Sequence, residues 1–140
     1  MSVIRLITGN VIKMSTEKIK AETTGENHIT IDELEQLAIN ALEELKGNEI
    51  SVVDVSEMTD VTSRLIIASG TSSRHVRSLA ESVVMEAKDA GVLPLGKEGE
   101  DSGEWVLIDL GDIVVHVMLP ETRDYYNLEK FWTDFKREEG

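Results

Sequence analysis

The spacing of apolar residues changes several times along the chain, and each change predicts a different element. Between residues 30 and 46 apolar side chains recur every three or four positions, which is the spacing of an amphipathic helix. Thr30 and Glu33 have the separation of a capping box, and Gly47 predicts the helix end. The same spacing returns over residues 72–90, so a second, longer helix is expected there.

Other segments are rich in aliphatic and β-branched residues and predict strands. Residues 50–55 form the first, and Arg64–Ser69 is an apolar run that predicts a strand buried on both faces. A brief extended piece is expected at 92–95, followed by a Gly-rich loop over 96–103.

The C-terminal part of the chain returns to helical spacing. A short helical turn is predicted over 121–125 and a last helix over 127–135, with Asn127 as its cap. With the hairpin described next, the order is α-β-β-α-β-β-α. This order predicts a single α/β domain in which a mixed β-sheet is packed with helices.

Residues 103–120 predict a β-hairpin. If Leu110 and Gly111 are the loop residues, counting outward places Asp109 opposite Asp112 and Trp105 opposite His116. Because side chains alternate across a strand, the hairpin divides into two faces. The aliphatic face comprises Val106, Ile108, Ile113, Val115 and Val117, and the mixed face comprises Trp105, Leu107, Asp109, Asp112, Val114, His116 and Met118.

The mixed face has two interpretations. A helix can half-cover it, or it can be a surface kept for a basic partner. Two carboxylates that face each other across a hairpin weaken it, which favours a functional reason for Asp109 and Asp112. The residues alone leave both interpretations open.

Length and composition indicate one domain with a substantial core. The chain has 140 residues, of which 41% are hydrophobic. Residues 1–28 are expected to be a flexible N-terminal extension, residues 29–135 the domain, and residues 136–140 a polar tail that frays.

Cys is absent, which excludes disulfides, thiolate zinc sites and a Cys nucleophile. With no secretory signal and no apolar run of membrane-span length, we expect an intracellular protein without a membrane partner.

The charge balance is strongly acidic. The chain holds 14 Lys and Arg against 27 Asp and Glu, a net charge of −13. Such a domain repels phosphate backbones, so we expect little direct binding to nucleic acid. A basic protein would be attracted instead. Since solubility alone also explains many acidic compositions, charge favours a basic protein partner only modestly.

A strand-to-helix turn at residues 67–75 is the first candidate for chemistry. It combines Gly70, several hydroxyl side chains and Arg74, and free N–H groups at such a turn can hold an anion. The spacing is not that of a P-loop. Capping of the following helix by Thr71 or Ser72 is the simpler interpretation.

No other catalytic or metal-binding pattern stands out. Asp109 and Asp112 lie three positions apart without a third carboxylate, so magnesium-assisted phosphoryl transfer lacks its ligands. His28, His75 and His116 are scattered, and none has Ser and Asp at triad geometry. We therefore expect a protein that is not an enzyme, with no catalytic residue, metal site or cofactor.

Several linked motifs closely resemble the ribosomal silencing factor (RsfS, Iojap-like) family. They occur in order and with the expected spacing over roughly residues 29–133, and residues 1–28 fall outside them. The motifs are SGTSSRHV at 69–76, PLG at 94–96 with Glu98-Gly99, WVLIDLGDIVVHV at 105–117 and YNLEKFW at 126–132. The resemblance implies a nucleotidyltransferase-like fold without established transferase activity.

The resemblance also implies a function in the bacterial cytoplasm. Family members bind the large ribosomal subunit through its protein L-fourteen and block joining of the small subunit, which represses translation under nutrient limitation. Homodimers are implied as well. An assembly role on the large subunit and a nucleotidyltransferase remain as alternatives. The implied contact residues lie on or beside the mixed face and are Trp105, Asp109, Leu110, Asp112, Met118 and Tyr125.

One residue departs from the pattern of the family. Arg64 occupies a position where an aromatic or other apolar residue is usual, so the start of the second strand is expected to sit differently.

Overall fold

The computed structural model describes the backbone of residues 29–139 and the side chains of residues 29–134. The predicted N-terminal extension, residues 1–28, lies outside the described residues. Within residues 29–139, four helices and five strands follow one another as α1 (Ile31–Glu44), β1 (Asn48–Asp54), β2 (Arg64–Ser69), α2 (Ser73–Asp89), β3 (Gly96–Glu98), β4 (Trp105–Asp109), β5 (Ile113–Met118), α3 (Pro120–Tyr126) and α4 (Leu128–Glu139).

The first helix begins at the predicted capping box. Thr30 Oγ1 accepts from the Glu33 N–H at 3.1 Å, and Glu33 Oε1 accepts from the Thr30 N–H at 2.9 Å. Its end differs from the prediction, because Lys46 rather than Gly47 takes a positive φ of 64°. The Gly47 N–H donates to the Leu42 carbonyl at 2.8 Å and thereby satisfies one of the last helical carbonyls.

The five strands form one mixed sheet in the order β1-β2-β5-β4-β3. The central pair, β2 and β5, is parallel, and the other neighbours are antiparallel. The predicted α/β domain with a mixed sheet is confirmed. Its outer strands are irregular or short: β1 shifts register between Asn48 and Ser51, with Glu49 at φ 48°, and β3 has three residues.

The third strand corrects the prediction for this region. Residues 92–95 are not a strand, whereas Gly96–Glu98, predicted as loop, pairs with β4. The pairing begins where the Leu95 N–H donates to the Asp109 carbonyl at 2.7 Å. The adjoining loop is held down by Arg77, whose guanidinium donates to two of its carbonyls, those of Glu100 at 2.8 Å and Asp101 at 3.0 Å.

The C-terminal helices also differ in detail from the prediction. Asn127 was expected to cap the last helix, and its Oδ1 accepts from the Lys130 N–H at 3.2 Å. Its backbone also ends α3 in the left-handed region, at φ 47°. The helical backbone of α4 continues to Glu139, so the predicted helix end at residue 135 is too early.

Both faces of the sheet are covered. The aliphatic face of the hairpin joins Ile66 and Ala68 of β2 beneath α1 and α2 in one large buried cluster. The opposite face is covered by the segment from Val55 to Val61 and by Leu128 and Trp132 of α4. The half-covering helix, one of the two interpretations of the mixed face, is therefore present.

Truncating the aliphatic face tests this assignment. Ile108 is fully buried on that face, so Ile108→Ala is expected to lower the free energy of unfolding by about 2–5 kcal/mol. The matched control is Met85→Ala on α2, where the side chain is 56% exposed and the change should stay within about 0.5 kcal/mol. Urea titration measures both; equal effects would contradict the assignment.

Candidate protein-binding surface

The hairpin turn lies one residue later than predicted. Leu110 donates its N–H to the Ile113 carbonyl at 2.8 Å, so Gly111 and Asp112 are the loop residues. Gly111 has φ 92°, as expected for this glycine. Glycine at the first of two loop positions is typical of a type II′ turn, and this signal in the sequence identifies the correct register.

The change of turn moves every cross-strand pair by two residues. Asp109 lies opposite Val114 and Trp105 opposite Met118, so the predicted pairs Asp109–Asp112 and Trp105–His116 are wrong. A shift of two keeps each side chain on its own face. The division into an aliphatic and a mixed face is therefore correct, although its pairs are not.

Three of the six predicted contact residues are buried. Met118 has no exposed surface and Asp109 is 2% exposed, because α4 and the segment before β2 cover the mixed face. Leu110 is 5% exposed and packs in the cluster beneath α1 and α2. The prediction that these three are surface contacts is wrong. Asp112, at the turn, is partly exposed.

The other two predicted contacts belong to one row of aromatic rings at the opposite end of the hairpin. The Trp105 and Tyr126 ring centroids are 4.8 Å apart, and those of Tyr126 and Tyr125 are 4.9 Å apart. Trp105 is partly buried, while Tyr126 is 44% and Tyr125 81% exposed. We call Trp105, Tyr126 and Tyr125 the aromatic row. Tyr126 was missed, although its position directly after Tyr125 was visible in the sequence.

A buried histidine fixes the inner end of the aromatic row. The Trp105 indole Nε1–H donates to His116 Nδ1 at 3.0 Å. Because Nδ1 accepts this bond, the neutral His116 imidazole carries its single N–H hydrogen on Nε2. His116 is 1% exposed, and burial lowers the pKa of its imidazole to about 3. A neutral His116 is thus a permanent acceptor for the indole, which orients Trp105 on the surface.

An ion pair that sequence reasoning missed anchors α3, the helix that carries the two tyrosines, to α4. Arg123 donates from Nε and Nη2 to the two carboxylate oxygens of Glu129, at 3.1 and 2.9 Å. Its Nη1 donates to Ser69 Oγ at 2.9 Å. Ser51 Oγ donates to Glu129 Oε2 at 2.5 Å. The hydrogen bonds from Arg123 hold the pKa of the Glu129 carboxyl below its ordinary value.

The strand-to-helix turn, the first candidate for chemistry, is occupied by its own side chains. Ser72 Oγ caps α2 by accepting from the His75 N–H at 3.1 Å. His75 Nδ1 accepts from the Thr71 N–H at 2.8 Å, and its Nε2 lies 2.7 Å from the Leu45 carbonyl. The Thr71 and His75 N–H groups therefore have protein partners, and capping explains this turn without a bound anion.

The two Asp residues of the hairpin are not cross-strand neighbours, because Asp109 lies opposite Val114. Asp109 Oδ1 accepts from the Gly111 N–H at 2.8 Å, and burial raises the pKa of its carboxyl against the lowering effect of that bond. Its Oδ2 has no partner among the described residues. Within residues 29–134 no group of three or more His, Cys, Asp or Glu is placed to hold a metal ion.

Arg64, the departure from the motif pattern, has a structural explanation. Its Nη1 lies 2.7 Å from Asp32 Oδ1 and 2.8 Å from Glu35 Oε1, so it ties the start of β2 to α1. The strand begins at the residue predicted.

A shallow groove lies beside the aromatic row. It has a volume of about 340 Å³ and lies between the loop before β4 and helix α3. Its lining residues combine two carboxylates with apolar and aromatic surface and are Glu104, Leu119, Glu121, Thr122, Tyr125 and Tyr126. Among the described helices none is long and apolar enough to cross a membrane.

Most of the chain is similar to known proteins of one family. A family model described as "Ribosomal silencing factor during starvation" (RsfS) matches residues 28–139. Ribosomal silencing factor RsfS of Chromobacterium violaceum is 53% identical over 102 residues, which are 73% of this chain and 84% of the relative. The mouse protein "Mitochondrial assembly of ribosomal large subunit protein 1" is 36% identical, over 69% of this chain and 44% of its own length.

A solved structure agrees with the fold. The crystal structure of a Chromobacterium violaceum protein superposes with a TM-score of 0.74 at 51% sequence identity. The match covers 75% of this chain and 88% of the other.

The role of the buried ion pair is tested by removing one partner. Arg123→Met leaves the partly buried Glu129 carboxylate with the Ser51 hydroxyl but without its cation, and we expect it to lower the free energy of unfolding by about 3 kcal/mol. Lys130→Met is the control, because Lys130 pairs with Asp134 on the same helix but is 68% exposed; its effect should be below about 0.5 kcal/mol. If urea titration finds similar losses, Arg123 is not an anchor.

His116 makes stability depend on pH in a defined window. The unfolded chain takes up a proton near the ordinary pKa of 6.5, whereas the folded imidazole does so at about 3. Stability due to this group is therefore complete above pH 6.5 and falls as the pH drops, by about 1.5 kcal/mol between pH 6.5 and 5.

His116→Asn retains an acceptor for Trp105 but does not titrate. Urea titrations at pH 6.5 and 5 should show that this variant, although less stable overall, loses about 1.5 kcal/mol less than the wild type over the interval. If the wild type and His116→Asn lose the same free energy of unfolding between pH 6.5 and 5, His116 takes up its proton in the folded protein as well.

Proposed function

This chain belongs to the ribosomal silencing factor (RsfS) family, and on that premise we propose that it binds the large ribosomal subunit through ribosomal protein L-fourteen. By occupying that site it sterically prevents the small subunit from joining, and so represses translation under nutrient limitation in the bacterial cytoplasm. The chain has a ribosome-associated silencing role by family; the partner protein and the steric mechanism are our proposal.

The observation that carries the proposal is the exposed aromatic row on a strongly acidic domain. Tyr125 is 81% and Tyr126 44% exposed, and Trp105 lies partly exposed beside them. Aromatic residues of this kind are the typical energetic centres of protein interfaces. Because His116 already orients the indole, Trp105 loses little side-chain freedom on binding, which favours affinity.

The charge of the chain supports a basic partner. A net charge of −13 attracts a basic ribosomal protein over long distances and accelerates encounter. The same charge disfavours contact with ribosomal RNA. The contact is therefore expected to be made by protein surfaces, and to weaken as salt concentration rises.

We propose further that the mechanism requires no catalysis. The turn before α2 uses Thr71, Ser72 and His75 for capping, and Asp109 is buried with one oxygen bound to Gly111. A nucleotidyltransferase mechanism would need accessible carboxylates at these places. Blocking subunit joining needs only occupancy of the shared surface.

An earlier role in assembly of the large subunit is the second candidate. The observation that favours it is the name of the mouse relative, which refers to assembly of the mitochondrial large subunit. Both roles use binding to the large subunit. A joining assay with mature subunits separates them, because an assembly factor need not inhibit joining.

Binding to isolated large subunits tests the proposal. Tyr125→Ala removes the most exposed ring of the row without disturbing the core, and Trp105→Ala removes the inner one. Each should weaken co-sedimentation by about 30-fold or more, as for a central interface residue. The matched control is Leu93→Ala, a 63% exposed apolar residue outside the row, which should bind like the wild type.

Two results would contradict the proposal. Full binding by both aromatic variants would show that the row is not the contact surface. Normal joining of small and large subunits in the presence of saturating wild-type protein would rule out the steric mechanism, even if binding were confirmed.

A further inference from the structure

We propose that the groove beside the aromatic row is a receptor for one arginine side chain of the basic partner. The inference rests on the proposed function and adds to it the chemistry of a single contact. The groove lies next to Tyr125 and Tyr126, so its occupant touches the same surface as the aromatic row.

The walls of the groove include two tyrosine rings and apolar surface. Tyr125 and Tyr126 meet edge to face at 86°, so their ring faces point in different directions. Leu119 and Thr122 add partly exposed surface. Cations bind over tyrosine faces by attraction to the ring quadrupole, and arginine does so more often than lysine.

Two carboxylates of the groove have no cationic partner among residues 29–134. Glu104 and Glu121 are both exposed, and neither side chain forms a salt bridge or hydrogen bond with another described residue. The basic residue of α3, Arg123, faces away and is occupied by Glu129 and Ser69. The groove is therefore an uncompensated negative site with aromatic walls, which is complementary to a basic side chain.

Shape favours arginine over lysine. A guanidinium is planar, so it can stack on a tyrosine ring while its N–H groups reach a carboxylate in a paired arrangement. A lysine ammonium is compact and strongly hydrated and cannot satisfy both walls in this way. The groove, of about 340 Å³, is large enough for a guanidinium and the end of its alkyl chain.

The test compares two double variants of equal charge. Glu104→Gln with Glu121→Gln neutralises the groove, and Glu57→Gln with Glu86→Gln neutralises two exposed carboxylates elsewhere. Affinity for isolated large subunits is measured at low and at moderate salt. We expect the groove variant to bind at least about tenfold more weakly and the control within about twofold of wild type.

A second measurement identifies the side chain. Purified L-fourteen protein is prepared with each surface arginine replaced in turn by lysine, and each product is titrated with wild-type chain and with the groove variant. One arginine replacement should weaken binding of the wild-type chain but cause no additional loss of binding in the groove variant. Such non-additivity indicates that the arginine and the groove interact directly.

Three outcomes would overturn the proposal. If both double variants lose the same affinity for large subunits, the effect of the groove carboxylates is general charge attraction and not a specific contact. A groove variant that binds subunits normally but no longer self-associates in sedimentation velocity would assign the groove to a second copy of the chain. If the wild-type chain does not bind large subunits at all, both the arginine proposal and the proposed function are wrong. If binding is lost in Tyr125→Ala and normal in the groove variant, only the arginine proposal is wrong and the proposed function stands.

Discussion

The guanidinium of Arg123 makes the contacts that hold the helix of the aromatic row in place. It joins Glu129 at the start of α4, Ser69 at the end of β2 and, through Ser51 bonded to Glu129, the edge strand β1. Pro120 begins α3, where its fixed φ suits the first helical position. The ion pair then fixes α3 and α4 against the sheet, and with them the positions of Tyr125 and Tyr126. The exposed tyrosines and the helices that cover the sheet are therefore held by the same buried charge.

Much of the fold was predictable because its signals are local. The capping box at Thr30, the six apolar positions on one side of α2 and the run in β2 each specify an element without reference to the rest of the chain. The faces of the hairpin were also correct although its pairs were not. Alternation has a period of two, so a register error of two residues leaves every side chain on its own side.

The candidate surface was only partly predictable, since exposure is set by elements distant in the chain. Asp109 and Met118 look accessible when the hairpin is considered alone, but Val61 and Trp132 pack over that side of the sheet. The sequence of the hairpin alone does not indicate that these distant segments cover it. Leu110 was misjudged for another reason: the turn lies one residue later, and its side chain therefore enters the core.

The two outer strands have a consequence for self-assembly of the chain. A regular, exposed strand invites a second molecule to continue the sheet through main-chain hydrogen bonds. Here β1 is interrupted by the irregularity at Glu49, and β3 offers only three residues. Such edges disfavour an open-ended backbone ladder between copies of the chain, which would remove the protein from solution as fibres.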